Sequence, residues 1–262
     1  MIKTRLASAA VALWVVWTTT TYLLEGYPRT LLRPDAIGLR LAYALIANIA
    51  IGIVGTAVVV CIAIRGTGLR VDAFGFQSTP RTARGVALGV VLGTAVFLVQ
   101  RPVTTDPAVI ANAFAQVWVV SIAEVLVCWV VLARVVTLLG PRHERRAMLV
   151  AVAWVTAAIT FGIYHFAHSP PFNSIQTIGV LTIVGLVTGA FYFATGEVYG
   201  TIVFHNFLAL SGVTAALAAG GRLDQFAVLQ PAPIVTAAAA TTFLIGADIY
   251  LRRAGVDSTV HR

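Results

Sequence analysis

Charged residues, cysteines and lysines are all scarce in this sequence. Only 11% of its 262 residues are charged, whereas a soluble domain carries roughly 25%. Lys3 is the only lysine, and Cys61 and Cys128 are the only cysteines. Both cysteines lie in apolar segments and form no CxxC motif, so we interpret them as packing residues rather than as a disulfide or a metal site. The low charge excludes an ordinary soluble domain.

Hydrophobic residues make up 59% of the chain, and long apolar stretches recur along it. Alternating segments of about ten residues, typical of a membrane β-barrel, are absent. Apolar stretches of roughly 18 residues or more indicate transmembrane helices. We therefore predict an all-α polytopic membrane protein, a bundle of about eight transmembrane helices in a single domain over residues 1–262. The predicted segments are 7–24, 41–64, 85–100, 110–139, 148–167, 175–194, 198–219 and 232–251.

The basic residues predict the orientation of the chain. Its net charge is +8, but it has no nucleic-acid-binding motif, so we expect a lipid bilayer and no nucleic acid as partner. With the N-terminus inside, most Lys and Arg residues fall on the inner side, Arg142, Arg145 and Arg262 among them. Positive loops stay in the cytoplasm, so both termini are predicted to be cytoplasmic. The few outer residues are Arg29, Arg33, Arg40, Arg101 and Arg222.

Two further features bear on localisation. The first apolar run ends in Leu24-Glu25-Gly26-Tyr27-Pro28 without a small-residue cleavage site, so we interpret it as a retained helix rather than a signal peptide. The use of arginine in place of lysine is typical of a high-GC prokaryote. We therefore expect the protein in a prokaryotic plasma membrane.

Glycines at four-residue spacing predict close helix contacts. Gly85, Gly89 and Gly93 form one series, and Gly185 and Gly189 form another. Such spacing lets two helix backbones approach closely, which matters because lipid gives helices no hydrophobic reason to associate. We interpret these glycines as structural.

One acidic residue lies inside a predicted membrane helix. Glu124 is flanked by Ala123 and Val125 in an otherwise apolar run. A carboxylate at membrane depth costs roughly 2.5–3.5 kcal/mol on insertion scales and is usually functional. The alternative is a protonated glutamate that bonds a neighbouring helix. In either case Glu124 must face the interior of the bundle.

Three histidines accompany this glutamate. His165 and His168 end the fifth segment, and His205 lies within the seventh. For His165 and His168 the alternative is an interfacial histidine wetted by lipid headgroups, and for His168 we favour it. Together, Glu124, His165 and His205 supply a general base and two groups that can bind a metal or hold an oxyanion. With His168, a four-ligand metal site is also conceivable, although no HExxH motif is present.

These residues resemble the motifs of the CPBP family of intramembrane proteases, also called the CAAX protease and bacteriocin-processing or Abi family. Glu124 matches the first glutamate of the family's Glu-Glu-xxx-Arg motif, and Leu132 stands where the family usually has leucine. Phe161 and His165 match the FxxxH motif. His205 matches the histidine of the HxxxN or HxxxD motif.

The sequence between the motifs strengthens the resemblance. Residues 189–196, Gly-Ala-Phe-Tyr-Phe-Ala-Thr-Gly, and the run from Val198 to His205 resemble the family's Gly-xx-Tyr-xx-Thr-Gly segment and the histidine that follows it. The Phe-Gly-Phe-Gln stretch at 74–77 also resembles a family feature before the third helix. The resemblance covers a core over residues 70–220.

The sequence departs from the family pattern at three positions. Val125 replaces the second glutamate, Trp129 replaces the arginine, and Ala209 replaces the asparagine of the third motif. Asn206 follows His205 directly, about 100° around a helix from it, so it is no simple substitute. These departures put the rate, the mechanism or the activity itself in doubt.

A second register of the first motif is open. It makes Glu124 the second glutamate and places Ala123 and Cys128 in the other positions. We prefer the first register because it keeps the glutamate that the family uses as its base.

The resemblance implies hydrolysis of a membrane-embedded or lipid-linked peptide by an intramembrane endopeptidase. Glu124 would activate a water, and His165 and His205 would orient it or stabilise the oxyanion. The supporting residues implied are Phe161, Asn206 and His168. No cofactor is certain; if the enzyme depends on a divalent metal such as zinc, its ligands would be His165 and His205.

Two other function classes stay open at this point. One is a catalytically degenerate relative that binds a helix as a scaffold, and the other is a proton-coupled transporter that uses the same residues as a relay. Counting 1.5 Å per residue along each helix also predicts three different depths for Glu124, His165 and His205. They form one site only if the helices tilt, break or end elsewhere.

Overall fold

The computed structural model describes residues 2–140 and 146–260, with the backbone alone at 256–260. Arg142, Arg145 and Arg262, which the sequence places on the inner side, lie outside the described residues. The described ranges are helical and contain no strand. This confirms the all-α prediction.

Eight helices are long and apolar enough to cross a membrane, which makes the chain an integral membrane protein. The predicted number of helices is therefore confirmed. The last of them continues to Val260. In chain order the spans are α1 Ile2–Gly26, α2 Ile37–Thr67, α3 Val71–Val99, α4 Pro107–Leu139, α5 Arg146–Ala167, α6 Ile175–Thr195, α7 Val198–Ala219 and α8 Pro231–Gly255.

The third helix begins earlier than the sequence predicts. It opens with a 3₁₀ turn over Val71–Phe74, and its α-helical part runs over Thr79–Val99 rather than 85–100. Proline is tolerated in a first helical turn because no intrahelical partner is lost there. Pro80 therefore starts the helix ahead of its apolar part, and the exposed Arg81 extends it outside that part.

Helix α4 lies at the centre of the bundle. Between Val119 and Ala133 nearly every side chain is buried, and Trp129 is fully so. Glu124 ends the regular part of this helix, and a π-helical segment over Val125–Ala133 follows directly. Such wide turns are rare and often occur at functional sites.

The glycine series lie at close helix contacts, as predicted. A Cβ atom on Gly89 of α3 would stand 2.4 Å from the carbonyl oxygen of Gly200 on α7, and one on Gly93 would stand 2.5 Å from the Phe207 ring. Gly189 of α6 meets the Trp154 indole of α5 in the same way, at 2.3 Å. These glycines hold α7 against α3 and α6 against α5.

Substitution of Gly89 by alanine is expected to destabilise the bundle. The added methyl group overlaps the Gly200 backbone, so α3 and α7 must separate, and overpacking of this kind costs about 1–3 kcal/mol. Gly246 of α8 is the matched control, because a Cβ there meets nothing within 4 Å. Thermal unfolding in detergent should show a loss for Gly89→Ala and almost none for Gly246→Ala. Equal melting temperatures would contradict the packing described.

Candidate functional site

Glu124 lies in the bundle interior and contacts two of the predicted histidines. Its side chain is almost fully buried. Its Oε2 lies 2.9 Å from Nε2 of His205, and its Oε1 lies 3.6 Å from Nε2 of His165. The structure thus brings together the three residues that the sequence singles out as catalytic, from α4, α5 and α7.

The hydrogen bonds of His205 fix which of its nitrogens carries the proton. An ionised carboxylate can only accept, so His205 Nε2 donates to Glu124. In the neutral ring Nδ1 is then an acceptor, and the Thr188 hydroxyl of α6 donates to it at 2.8 Å. Thr188 and Glu124 therefore hold the imidazole from both sides.

His165 has the opposite arrangement. Its Nδ1 lies 2.8 Å from the carbonyl oxygen of Phe161, one turn earlier on α5. A carbonyl can only accept, so Nδ1 carries the proton, and the lone pair on Nε2 faces Glu124. The Phe161 ring packs edge-on against the same imidazole, with 4.6 Å between centroids. Phe161 thus positions His165 with its backbone and its ring.

The three side chains meet because α7 begins inside the bundle. Val198, its first residue, is fully buried and donates its backbone N–H to the carbonyl of Gly75 at 3.0 Å. The 74–77 stretch before the α-helical part of α3 therefore covers the inner end of α7. His205, two turns further on, reaches the level of Glu124. Glu124, His165 and His205 therefore lie at one level of the bundle, and the sequence estimate of three different depths is wrong.

His168 is buried, so the interfacial position favoured from the sequence is wrong. Only 3% of the residue is exposed. The 3₁₀ turn over His165–Ala167 bends the chain, and His168 itself is extended. Its ring stacks on that of His165, with 5.0 Å between centroids. The bend carries His168 back into the bundle instead of outward to the headgroups.

A second buried glutamate, which the sequence analysis missed, holds His168 in place. Glu25 of α1 is fully buried, and its Oε2 lies 3.0 Å from His168 Nδ1. It also accepts the backbone N–H groups of Leu31 at 3.2 Å and Ser169 at 3.0 Å, as well as the Ser169 hydroxyl. The sequence signal for Glu25 was an acidic residue at the end of an apolar run. It lies in the Leu24–Pro28 stretch, which was interpreted only as evidence against a signal-peptide cleavage site.

Glu124, His165 and His168 form a group that could hold a metal ion. Each offers one ligand atom, and these atoms lie within 4.8 Å of one another. The Glu25 carboxylate lies at ion-pair distance from His168 Nδ1, and neither ring nitrogen of His168 has a hydrogen-bond partner of good geometry in the described part of the chain. A second carboxylate behind a ligating histidine is a common feature of metal sites.

This group differs from the predicted metal pair. It includes His165 but not His205, because both ring nitrogens of His205 are already engaged, by Glu124 and by Thr188. Two histidines and one carboxylate are a donor set that suits zinc with an open fourth position. The residues present therefore fit a divalent ion.

Asn206 lies next to His205 but points away from the carboxylate. Its Oδ1 accepts from the Ser121 hydroxyl at 3.0 Å, and its Nδ2 donates to the carbonyl of Phe114 at 3.3 Å. Both contacts join α7 to α4. The structure therefore places Asn206 at a helix contact and outside the cluster of histidines.

An apolar cavity of about 210 Å³ reaches the site. Glu124, His165 and His205 lie in its wall, and so does Ala209 at the family's asparagine position. The wall also includes Val180 of α6, whose side chain is 57% exposed. The wall of the cavity therefore extends to the surface of the bundle at Val180.

Removal of the Glu25 carboxylate is expected to unfold the region around His168. In Glu25→Ala the backbone N–H groups of Leu31 and Ser169 lose their acceptor, and buried unsatisfied groups cost about 1–3 kcal/mol each. Glu25→Gln is the matched control, because its amide oxygen can still accept. Thermal unfolding should rank wild type above Gln and Gln above Ala. If the alanine variant were as stable as the wild type, the assigned role of Glu25 would be wrong.

Comparison with known proteins gives one family. No curated protein and no solved structure matches the chain. Residues 106–211 match the family model of the type II CAAX prenyl endopeptidase Rce1-like proteins. The matched region begins at the start of α4 and ends within α7, so it contains Glu124, His165, His168 and His205. The family resemblance seen in the sequence is thereby confirmed, and residues 106–211 form an Rce1-like, CAAX prenyl endopeptidase-type domain.

Proposed function

We propose that the protein is an intramembrane endopeptidase that hydrolyses a membrane-embedded or lipid-linked peptide with water activated by Glu124. One observation carries the proposal: a buried carboxylate lies between two histidines, of which His205 presents an N–H group to it and His165 presents a lone pair. The match of residues 106–211 to the Rce1-like family model supports the proposal, because these residues lie within the matched region.

The nucleophilic water would bridge Glu124 and His165 from one side. Oε1 of Glu124 and Nε2 of His165 are both acceptors, 3.6 Å apart, so one water can donate a proton to each. Transfer of one proton to Glu124 lets the water oxygen attack the scissile carbonyl. Collapse of the tetrahedral intermediate breaks the C–N bond, and the proton passes from Glu124 to the departing amine.

His205 is the donor in this arrangement. Its Nε2–H holds Oε2 of Glu124, which leaves Oε1 to take the proton from water. Once Glu124 is protonated, the same N–H becomes available to the oxyanion. Thr188 keeps His205 in the required tautomer through Nδ1.

Glu124, His165 and His168 would be the ligands if the enzyme uses a divalent ion. A bound ion of this kind polarises a carbonyl and lowers the pKa of a coordinated water. Glu25 then has the additional role of orienting His168, because its carboxylate lies 3.0 Å from Nδ1.

The cavity supports an apolar substrate. Its wall includes Val117, Val120 and Val184 in addition to the polar site residues. Such a cavity accepts an extended hydrophobic segment or an isoprenoid-type chain better than a polar peptide. With both termini cytoplasmic in a prokaryotic plasma membrane, the substrate reaches the site from within the bilayer.

A non-catalytic relative that binds a membrane helix is the second candidate. It is favoured by Val125 and Trp129, both fully buried, and by Ala209, which offers no side-chain donor in the cavity. It predicts that partner capture survives the loss of the Glu124 charge. The transporter is not supported by any further feature of the described residues.

Glu124→Gln is expected to abolish hydrolysis of a fluorogenic membrane peptide by the purified protein, with a loss of at least about 10³-fold in kcat, because the amide cannot accept the proton from water. Glu197→Gln is the matched control. Glu197 is another buried glutamate, but it caps the backbone N–H groups of Tyr199 and Gly200 at the start of α7. Its variant should retain activity.

Equal hydrolysis by the wild type and Glu124→Gln would exclude the peptidase mechanism. Retention of a bound partner helix by both proteins, with hydrolysis by neither, would favour the non-catalytic candidate.

Ala209→Asn is expected to raise kcat. Loss of one oxyanion donor typically costs about 10²–10³ in rate, and an amide at 209 points into the same cavity as Glu124. We expect a gain of about tenfold or more in kcat with little change in KM. Ala209→Val adds similar bulk without a donor and should give no gain. Equal rates in the two variants would show that position 209 does not reach the oxyanion.

A further inference from the structure

A second, larger cavity opens at the inner end of the bundle. Its volume is about 670 Å³, and none of the residues of the proposed active site lines it. It is formed by the first turns of α1 and α5, the inner ends of α2, α4 and α6, and the segment that precedes the α-helical part of α3. The proposed peptidase activity does not account for it.

Three basic side chains converge on this cavity. Lys3 of α1 and Arg146 of α5 are exposed, and Arg134 of α4 is half-buried. Asp72 is the only acidic residue among its described lining residues. Its carboxylate forms an ion pair at 3.3 Å with Arg70, which does not line the cavity. Among the described lining residues, positive charges therefore outnumber negative ones.

Arg134 has no anionic partner in the described ranges. Its guanidinium lies over the Phe74 ring at 5.9 Å, and its buried Nε has no hydrogen-bond partner. Arg146 acts on it as a like charge. A buried guanidinium nitrogen without an acceptor is costly, and an anion within the cavity would remove this cost by accepting from Nε and balancing the charge of Arg146.

The remainder of the lining is apolar. Ile2, Leu6, Leu149 and Phe193 face the same space as the basic residues. A molecule with an anionic head and an apolar tail matches both parts. Basic pockets between membrane helices on the cytoplasmic side commonly bind the headgroups of anionic lipids.

We propose that this inner cavity binds an anionic phospholipid, with the headgroup phosphate on Arg134, Lys3 and Arg146 and an acyl chain along the apolar wall. A phosphate group accepts from guanidinium in fork geometry. The proposal does not depend on the peptidase activity, because lipid binding is measured separately from hydrolysis.

Native mass spectrometry of the full chain tests this site with phosphatidylglycerol as the probe. Arg134→Gln should weaken phosphatidylglycerol binding about tenfold, since it removes a desolvated charge-assisted contact. Arg81→Gln is the matched control, because it removes the same charge from an exposed position at the inner end of α3, outside the cavity. Its affinity should stay within about twofold of the wild type.

Two further arms keep the result decisive. Arg134→Lys preserves the charge and should retain most of the binding, and thermal unfolding in phosphatidylcholine alone shows whether each variant is folded. If Arg134→Gln and Arg81→Gln weakened lipid binding equally, the effect would be a general attraction between the basic surface and the lipid. That result would overturn the proposed binding site. Full displacement of the lipid by millimolar inorganic phosphate would identify a free anion as the ligand and overturn the lipid assignment.

Discussion

The buried carboxylate of Glu124 is the constraint on which the site depends. A carboxylate inside an apolar bundle is tolerated only where charge or hydrogen bonds compensate for the lost hydration. Here His205 donates to one oxygen and His165 lies beside the other. The positions of α5 and α7 relative to α4 follow from this requirement, and the glycine contacts of α7 with α3 let it approach closely enough.

A second buried carboxylate extends the same principle to the outer side of the site. Glu25 accepts from two backbone N–H groups and faces His168, so it fixes the chain just beyond α5. Glu25 belongs to α1, outside the region that matches the family model. The family-matched helices are thus supported by a residue that this chain supplies from elsewhere.

Much of the fold was predictable because lipid imposes a simple rule. Apolar stretches of membrane length become helices, and glycines at four-residue spacing become close contacts, since both depend on local sequence. The trio of Glu124, His165 and His205 was predictable for a related reason: polar residues inside apolar helices must find partners. All three lie together, and their roles in catalysis stay predictions.

The pairing of Glu25 with His168 was not predictable from the same rules. It depends on a bend after α5 and on a contact between residues far apart in the sequence, neither of which has a periodic signal. The common level of Glu124, His165 and His205 was not predictable either, because counting residues along each helix gives neither its tilt nor its position relative to the other helices. The apolar pattern predicts the length of a helix but not its position along the bundle axis relative to its neighbours.

The most direct test of peptide hydrolysis at this site is the source of the oxygen in the product. A peptide incubated with the purified protein in ¹⁸O-labelled water should give a new C-terminal carboxylate with one ¹⁸O atom, detected by mass spectrometry. A cleaved product without the label would show that a group other than water attacks the peptide bond. Absence of any cleaved product across a panel of lipid-linked and transmembrane peptides would contradict the peptidase assignment itself.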